Sequence, residues 1–270
     1  MSLSAPLDFA LTAHGPRLYA RLLELRANPN REKQLFLSLL GRGEVVFDVG
    51  ANAGYYTLLF SHRVGGRGQV HAFEPIPPTV AALRARLAAH GRYQNVTVHP
   101  LALASTAGEA EMVVPAGDFG QASLGRHRQG SWTDTAALTP YRVRIEQLDE
   151  LVGHGTLPPP TFVKIDVEGA ELPVIAGAAA TLGRHLPTVY AEVFPGWTES
   201  FGYHPAELAV RLVDLGYRRF FLLTDRLRPL ADPAAELRRL ELSSVSNLLA
   251  LGSGHDTPHH LARLARLSEA

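Results

Sequence analysis

One short segment near the start of the chain constrains the fold more than any other. Residues 45–47 form an apolar run that reaches Asp48, and the turn at 50–54 consists of small or amide residues. Residues 55–60 can then begin a helix. A strand that feeds a tight loop and then a helix lets the backbone approach a nucleotide-like ligand closely. We therefore predict an α/β fold with a ligand site on this loop.

Strands and helices alternate from residue 44 onward. Candidate strands lie at 44–48, 69–73, 96–103, 161–166, 188–193, 217–223 and 245–251. Candidate helices lie between them at 55–63, 77–90, 170–185 and 205–215. Such alternation predicts a doubly wound, mostly parallel, Rossmann-like sheet that is covered on both faces.

Three parts of the chain are predicted to flank or interrupt this sheet. Residues 1–42 carry leucines at helical spacing and are predicted to form an N-terminal helical arm or cap to the domain at 43–252. Within that domain, 104–146 lacks a crossover helix, and its Gly-rich basic loop at 117–130 is interpreted as a lid or substrate loop. Residues 253–270 are predicted to be a C-terminal helical tail.

The composition excludes several classes of function. The 26 Lys and Arg balance the 26 Asp and Glu, so the chain lacks the basic footprint of a nucleic-acid binder. Cysteine is absent, which excludes disulfides and thiolate chemistry. No apolar stretch approaches the ~20 residues that span a bilayer, and no secretion signal is recognisable. We expect a cytoplasmic protein with no nucleic-acid or membrane partner, whose N-terminal helices could form a homodimer contact.

The loop at 50–54 has features of a cofactor site. Gly50 and Gly54 remove side chains where the chain must turn and approach a ligand. Asn52 tolerates a positive φ better than most residues. Asp48 suits a ligand with an ammonium group, as in S-adenosylmethionine, which has no pyrophosphate. An ordinary strand-to-helix turn remains the alternative for this motif alone.

The second strand ends in a carboxylate. Glu74 lies about 20 residues past the glycine loop, where an acidic side chain accepts both ribose hydroxyls. Pro75 fixes the backbone after it. Ala102, near the end of the third strand, could offer an apolar wall to adenine. The alternative for Glu74 is a helix-capping or surface role.

A group of charged residues ends the fourth strand. Lys164 and Asp166 share one face, which leads to the carboxyl edge where ligands bind in open sheets. Glu168 and Glu171 follow, and Glu192 ends the fifth strand at the same edge. Carboxylates this close repel each other unless a cation compensates them, which could be Lys164, a sulfonium or a metal ion. Alternatively, Lys164–Asp166 is a structural pair and Glu171 stabilises a helix N-terminus.

These motifs together resemble the FkbM-type S-adenosylmethionine-dependent methyltransferases. The matching segments are 47–56, 72–75, 100–103, 148–151, 164–171, 191–193 and 246–249. The resemblance implies a class I sheet of seven strands, the last one antiparallel. It also implies O-methylation of a hydroxyl, often on a sugar or a natural-product scaffold.

The predicted site follows from the motifs and the resemblance together. The cofactor residues are Asp48, Gly50, Asn52, Gly54, Tyr55, Glu74, Pro75, Ala102 and Asp166. The catalytic candidates are Asp166, Glu168, Lys164 and His127, since an alcohol needs a general base. The resemblance also implies that Glu171 faces the reaction centre. A magnesium ion on Asp166, Glu168 and Glu192 is a variant that we do not favour here.

Other functions remain open from the sequence. An NAD(P)-dependent reductase also has a glycine loop and an acid that ends strand two, although Asp48 would then face a pyrophosphate. A non-catalytic S-adenosylmethionine-binding partner protein would bind the cofactor without methyl transfer. RNA methylation is disfavoured by the neutral charge and by the lack of an Asn/Asp-Pro-Pro tetrapeptide. A small-molecule or carbohydrate substrate is the interpretation we carry forward.

Overall fold

A computed structural model describes residues 30–90, 94–127, 130–133, 137–239 and 245–269. The first 29 residues of the predicted arm lie outside the described residues. The rest of the arm is helix α1 (Arg31–Leu39), which begins at Asn30 because the Asn30 side chain accepts a hydrogen bond from the Lys33 N–H at 2.8 Å. The predicted division at residues 42 and 252 remains a prediction.

An eight-stranded sheet forms the centre of the fold, in the order β10-β9-β11-β8-β7-β1-β2-β3. Its strands are β1 (Val45–Val49), β2 (Gln69–Phe73), β3 (Val96–His99), β7 (Phe162–Ile165), β8 (Thr188–Val193), β9 (Phe220–Leu223), β10 (Leu227–Leu230) and β11 (Ser246–Ala250). The last strand, β11, pairs antiparallel with both β8 and β9. The mostly parallel Rossmann-like sheet is therefore confirmed.

The sheet has one strand more than the seven expected. β10 folds back on β9 as an antiparallel edge strand after a short turn at 224–226. The sequence does not mark β10 as a strand because Arg228 and Pro229 interrupt its apolar run. A proline is tolerated there because an edge strand leaves one row of N–H groups unpaired.

Helices cover both faces of the sheet. They are α2 (Tyr55–Val64), α3 (Pro77–His90), α4 (Leu148–Gly153), α5 (Glu171–Ala176), α6 (Ala179–His185), α7 (Pro195–Thr198), α8 (Ala206–Asp214), α9 (Pro233–Arg239) and α10 (Pro258–Glu269). The helix predicted at 170–185 is two helices that are separated at residues 177–178. The Gly177 backbone packs closely there, because a Cβ at this position would lie 2.0 Å from the Ala104 carbonyl oxygen. No helix in the described part of the chain is long and apolar enough to cross a membrane.

Helix α1 is held against the sheet by one aromatic side chain. The Phe36 ring is fully buried and makes edge contacts with four rings at centroid distances of 4.8–5.7 Å. Burying a phenylalanine in this way contributes about 2–3 kcal/mol. The preceding turn brings Glu32 to the hydroxyl of Tyr190 at 2.7 Å. The arm is therefore tied to the middle of β8.

A second sheet of three strands is built from the excursion at 104–146 and the two residues that precede it. It has the order β4-β6-β5, with β4 (Ala102–Leu103), β5 (Gly108–Pro115) and β6 (Leu138–Glu146). The strand predicted at 96–103 is thus split between two sheets, since β3 ends before Pro100. In the loop between β5 and β6, Ser123 exchanges two backbone hydrogen bonds with Val113. This pairing folds the loop back over the carboxyl edge of the large sheet.

Candidate active site

A cleft of about 700 Å³, counting the space open to solvent, lies at the carboxyl ends of β1, β2 and β7. The large sheet, the small sheet and the loop at 117–130 all contribute to its walls. Its lining residues are Val49, Gly50, Asn52, Phe73, Glu74, Pro75, Leu101, Ala102, Leu103, Met112, Phe119, Gly120, Ala122, Leu124, Asp166, Val167, Glu168 and Ala170. Apolar side chains with a few polar groups among them are the usual lining of a small-molecule site.

The loop after β1 has the backbone that the glycine motif predicts. Gly50 and Gly54 have φ values of 78° and 85°, and a side chain at Gly54 would lie 2.3 Å from Leu83. Asn52 has a φ of 47°, which confirms the expectation for an amide residue at this place. Its side-chain oxygen accepts a hydrogen bond from the Ala53 N–H at 2.6 Å. The loop therefore presents bare backbone to the cleft.

Glu74 follows β2 directly, and backbone hydrogen bonds hold its carboxylate at the cleft. One oxygen accepts the Asn52 N–H and the other accepts the Ile76 N–H, both at 2.9 Å. Burial raises the pKa of Glu74 to about 7, although these two hydrogen bonds oppose the rise. Because each oxygen keeps a free lone pair, the fixed carboxylate can accept two neighbouring hydroxyls, as a ribose offers.

Asp48 does not line the cleft, so its predicted contact with the cofactor ammonium is not what the structure shows. Its side chain is 0% exposed, accepts a hydrogen bond from the Thr57 hydroxyl at 2.6 Å, and lies 3.4 Å from the Lys164 ammonium. Burial raises the pKa of Asp48, and Lys164 opposes that rise. Asp48 therefore fixes Lys164 and the start of α2 from beneath the loop.

The Lys164 ammonium lies between the buried Asp48 and the cleft residue Asp166. Its ammonium lies 3.1 Å from the carboxylate of Asp166, as the predicted pairing requires, and donates to the Gly50 carbonyl at 3.4 Å. Burial alone would lower the pKa of Lys164, but Asp166 and Asp48 outweigh burial and raise it. Lys164 is thus charged and orients Asp166; the cleft lining does not include it.

Three carboxylates converge from two neighbouring strands. Asp166 and Glu168 follow β7, Glu192 lies near the end of β8, and one oxygen of each falls within 4.8 Å of the others. Burial is the main cause that raises the pKa of Glu168 to about 8, and the charge of Asp166 is the second. The same two causes raise the pKa of Glu192 well above its usual value. Each pair of charges at this spacing repels by roughly 3–4 kcal/mol, so the cluster favours a cation or a proton.

Glu171 has other partners than the reaction centre. One of its oxygens accepts the N–H groups of Val167 and Gly169, and the other accepts the Tyr203 hydroxyl at 3.1 Å. Its side chain is buried and lies beneath the turn at 166–171. The sequence predicts its place at the start of a helix, and it is the first residue of α5. These hydrogen bonds also show that Glu171 stabilises the turn on which Asp166 and Glu168 lie.

The loop at 117–130 is anchored on the same turn. The Ser123 hydroxyl donates to the Glu168 carbonyl at 2.9 Å, and Glu168 has a left-handed φ of 52°. Phe119 and Gly120 of this loop line the cleft. The loop therefore forms part of the cleft wall, and its role as a lid or substrate loop stays a prediction.

His127 and Tyr55 lie away from the cleft lining. The His127 ring is buried against Trp132 and Trp197, with Nδ1 2.6 Å from the Ser200 hydroxyl. Burial lowers the pKa of His127 to about 4. Tyr55 is 53% exposed beside the Lys33 ammonium. Neither residue is among the lining residues of the cleft, although the His127 ring lies beside the Glu168 backbone. The catalytic role of His127 and the cofactor contact of Tyr55 therefore stay predictions.

Several residues of the site carry no recognisable sequence signal. Thr57, Ser123 and Tyr203 act through partners that are 9, 45 and 32 residues away in sequence. Hydroxyl side chains are common throughout the chain, so only the folded structure distinguishes these three.

Comparisons with known proteins agree with the motifs. The profile of the methyltransferase FkbM domain matches residues 48–219. The hexuronic acid methyltransferase AglP of Haloferax volcanii is 30% identical over 166 residues, which is 60% of this chain and 61% of that protein. The 31-O-demethyl-FK506 methyltransferase FkbM of Streptomyces tacrolimicus is 54% identical over 48 residues, 18% of each chain. The matches thus span less than two thirds of each relative's length.

Among solved structures, a methyltransferase FkbM from Methylobacillus flagellatus matches with a TM-score of 0.48 and 15% identity. The match covers 91% of this chain and 58% of that one.

Proposed function

This chain belongs to the FkbM methyltransferase family, and we propose that it moves the methyl group of S-adenosylmethionine to a hydroxyl oxygen of a small molecule, sugar or natural-product scaffold. The family match supports S-adenosylmethionine dependence and methyl transfer, and these are part of the proposal. The O-methyl specificity and the acceptor class are its other part. One observation carries it: a single cleft has the ribose-type carboxylate Glu74 at one side and the acids Asp166 and Glu168 at the other.

The residues present fit the methyl donor. Glu74 is fixed by two backbone N–H groups and can accept both ribose hydroxyls. Pro75, Leu101 and Ala102 give the neighbouring wall an apolar surface that suits an adenine ring. The bare backbone at Gly50 lets the rest of the ligand approach the end of β1. The bound donor supplies an electrophilic methyl group on a sulfonium sulfur.

The acids at the other side of the cleft supply what a hydroxyl acceptor needs. An alcohol is a weak nucleophile until its proton leaves, and a carboxylate within reach can take that proton as the new O–C bond forms. The bond between the methyl carbon and the donor sulfur would break in the same step, with S-adenosylhomocysteine as the leaving group. Asp166 is held in place by Lys164 at 3.1 Å, and Glu168 by the Ser123 anchor. Fixing both groups before the reaction contributes through positioning, because the acceptor oxygen must lie in line with the methyl carbon.

The relatives suggest which hydroxyls to test. One relative is named for a hexuronic acid, a sugar that carries a carboxylate, and another for a demethylated hydroxyl of a natural product. We propose an acceptor of this kind. A polymeric nucleic-acid acceptor is disfavoured by the balance of 26 basic against 26 acidic residues.

The test begins with calorimetry of S-adenosylhomocysteine and of NADH against the full chain. We expect saturable binding of S-adenosylhomocysteine and none of NADH. The protein is then incubated with methyl-labelled S-adenosylmethionine and a panel of hexuronic acids, neutral sugars and hydroxylated natural products. Transfer of label to an acceptor oxygen, located by mass spectrometry and NMR, supports the proposal. Cofactor binding without transfer to any hydroxyl would instead identify a non-catalytic binding protein.

A further inference from the structure

Glu192 is a buried carboxylate whose hydrogen bonding is incomplete within the described part of the chain. It lies within β8, where its backbone pairs with Asn247 of β11, and its side chain is only 7% exposed. No donor of the described residues reaches its Oε2 atom, and the same holds for Oε2 of Glu168. A carboxylate in such a place is unfavourable unless a cationic group completes it.

The positions of these side chains show where a cationic group would lie. Glu192 points from the neighbouring strand into the space beside Asp166 and Glu168, and one oxygen of each residue lies within 4.8 Å of the others. Lys164 lies 3.1 Å from one oxygen of Asp166, so it neutralises only part of the cluster. A cation with oxygen ligands at about 2.0–2.6 Å has ligand separations of this size.

We propose that Asp166, Glu168 and Glu192 bind one divalent cation at the acceptor side of the cleft. Hard carboxylate oxygens with no nitrogen or sulfur ligand suit Mg²⁺, Mn²⁺ or Ca²⁺ better than Zn²⁺. Asp166 and Glu168 line the cleft, so the ion would have open positions for water or for the acceptor oxygen. Its role there, which rests on the proposed function, is to lower the pKa of the acceptor hydroxyl.

Direct metal binding tests the site independently of activity. The full chain is treated with EDTA, dialysed and titrated with Mn²⁺, with free Mn²⁺ followed by electron paramagnetic resonance. We expect one saturable site per chain that Mg²⁺ competes for. Glu192→Gln should weaken Mn²⁺ at least tenfold, whereas the exposed strand residue Glu111→Gln should bind it as the parent does.

A thermal melt shows whether the variant remains folded. Mn²⁺ should raise the Tm of the parent and of Glu111→Gln, but not that of Glu192→Gln. That variant should melt no lower than the metal-free parent, because a neutral amide of the same shape costs no more to bury than the carboxyl group. Absence of a saturable Mn²⁺ site, or equal affinity in Glu192→Gln, overturns the inference. Full methyl transfer after chelation would also overturn it and leave the proposed function intact. Mn²⁺ binding without methyl transfer would support the metal site and contradict the proposed function.

Discussion

Gly50 and Asp166 lie so close that the loop after β1 has no room for a side chain at this point. A Cβ on Gly50 would be 1.8 Å from the Asp166 carbonyl oxygen, and Gly50 also has a φ of 78°. The nearest atoms are the carbonyl oxygen and carbon of the Asp166 backbone, so a rotamer change could not relieve the contact. This approach sets the distance between the cofactor loop and the acids that follow β7.

Replacing Gly50 by Ala should therefore be severe. We expect the Gly50→Ala variant to lose about 3 kcal/mol or more of unfolding free energy, together with S-adenosylhomocysteine binding. Two controls separate the causes. Gly43 has a φ of 87° in open space, so Gly43→Ala should show the backbone cost alone, about 1–2 kcal/mol. Gly66→Ala, in open space without a positive φ, should be nearly neutral. Urea unfolding measures all three, and equal losses at Gly50 and Gly43 would contradict the steric argument.

The affinity for the cofactor should depend on pH through Glu74. Burial raises the pKa of Glu74 to about 7 in the free protein, while acceptance of two ribose hydroxyls favours the carboxylate. Binding below pH 7 must therefore release a proton from Glu74. We expect the Kd of S-adenosylhomocysteine to be constant above about pH 7.5 and to rise up to about tenfold per pH unit below 7. Calorimetry between pH 5.5 and 8.5 would show this.

The Glu74→Gln variant provides the comparison. It keeps the shape of the side chain but loses the charge, so its Kd should be about 10- to 100-fold higher and should not vary with pH over this range. If the variant kept the slope of the parent, another group would be responsible for the titration.

The parts of the site that the sequence predicts are those with local causes. Gly50, Asn52 and Glu74 are recognisable because a tight turn and a strand end each demand particular residue types within a few positions. Their φ values and hydrogen bonds agree with the prediction. The pairing of Lys164 with Asp166 is of the same kind, since residues two apart in a strand share a face.

The parts that the sequence does not predict depend on contacts between distant segments. Asp48 was expected to meet the cofactor, but the position of Lys164 on the neighbouring strand makes it a buried partner of that lysine. The helix predicted at 170–185 is two helices, and the close approach of Ala104 to Gly177 between them joins segments that are far apart in sequence. The anchor from Ser123 to Glu168 spans 45 residues and requires the loop to fold back.

Ser123 should influence turnover by positioning Glu168. Its hydroxyl holds the Glu168 carbonyl at 2.9 Å, where the backbone is left-handed. We expect Ser123→Ala to lower kcat about tenfold, because small displacements of reacting groups cost rate steeply, while the Kd of S-adenosylhomocysteine changes less than about twofold. The exposed Ser105→Ala should change neither value. A parallel loss of cofactor affinity would indicate a general loss of folding instead of a positioning role.

Asp166 is the residue on which the proposed chemistry depends most. It lines the cleft and is oriented by Lys164, so it can take the acceptor proton directly or hold an ion that promotes its loss. We expect Asp166→Asn to lower methyl transfer about 100-fold or more. Calorimetry should show S-adenosylhomocysteine binding that is largely retained, since the Glu74 carboxylate and the Gly50 backbone are untouched. The exposed Asp214→Asn, at the end of α8, should match the parent in both assays. Undiminished transfer by Asp166→Asn would remove this carboxylate from the mechanism and leave Glu168 as the acid to test next.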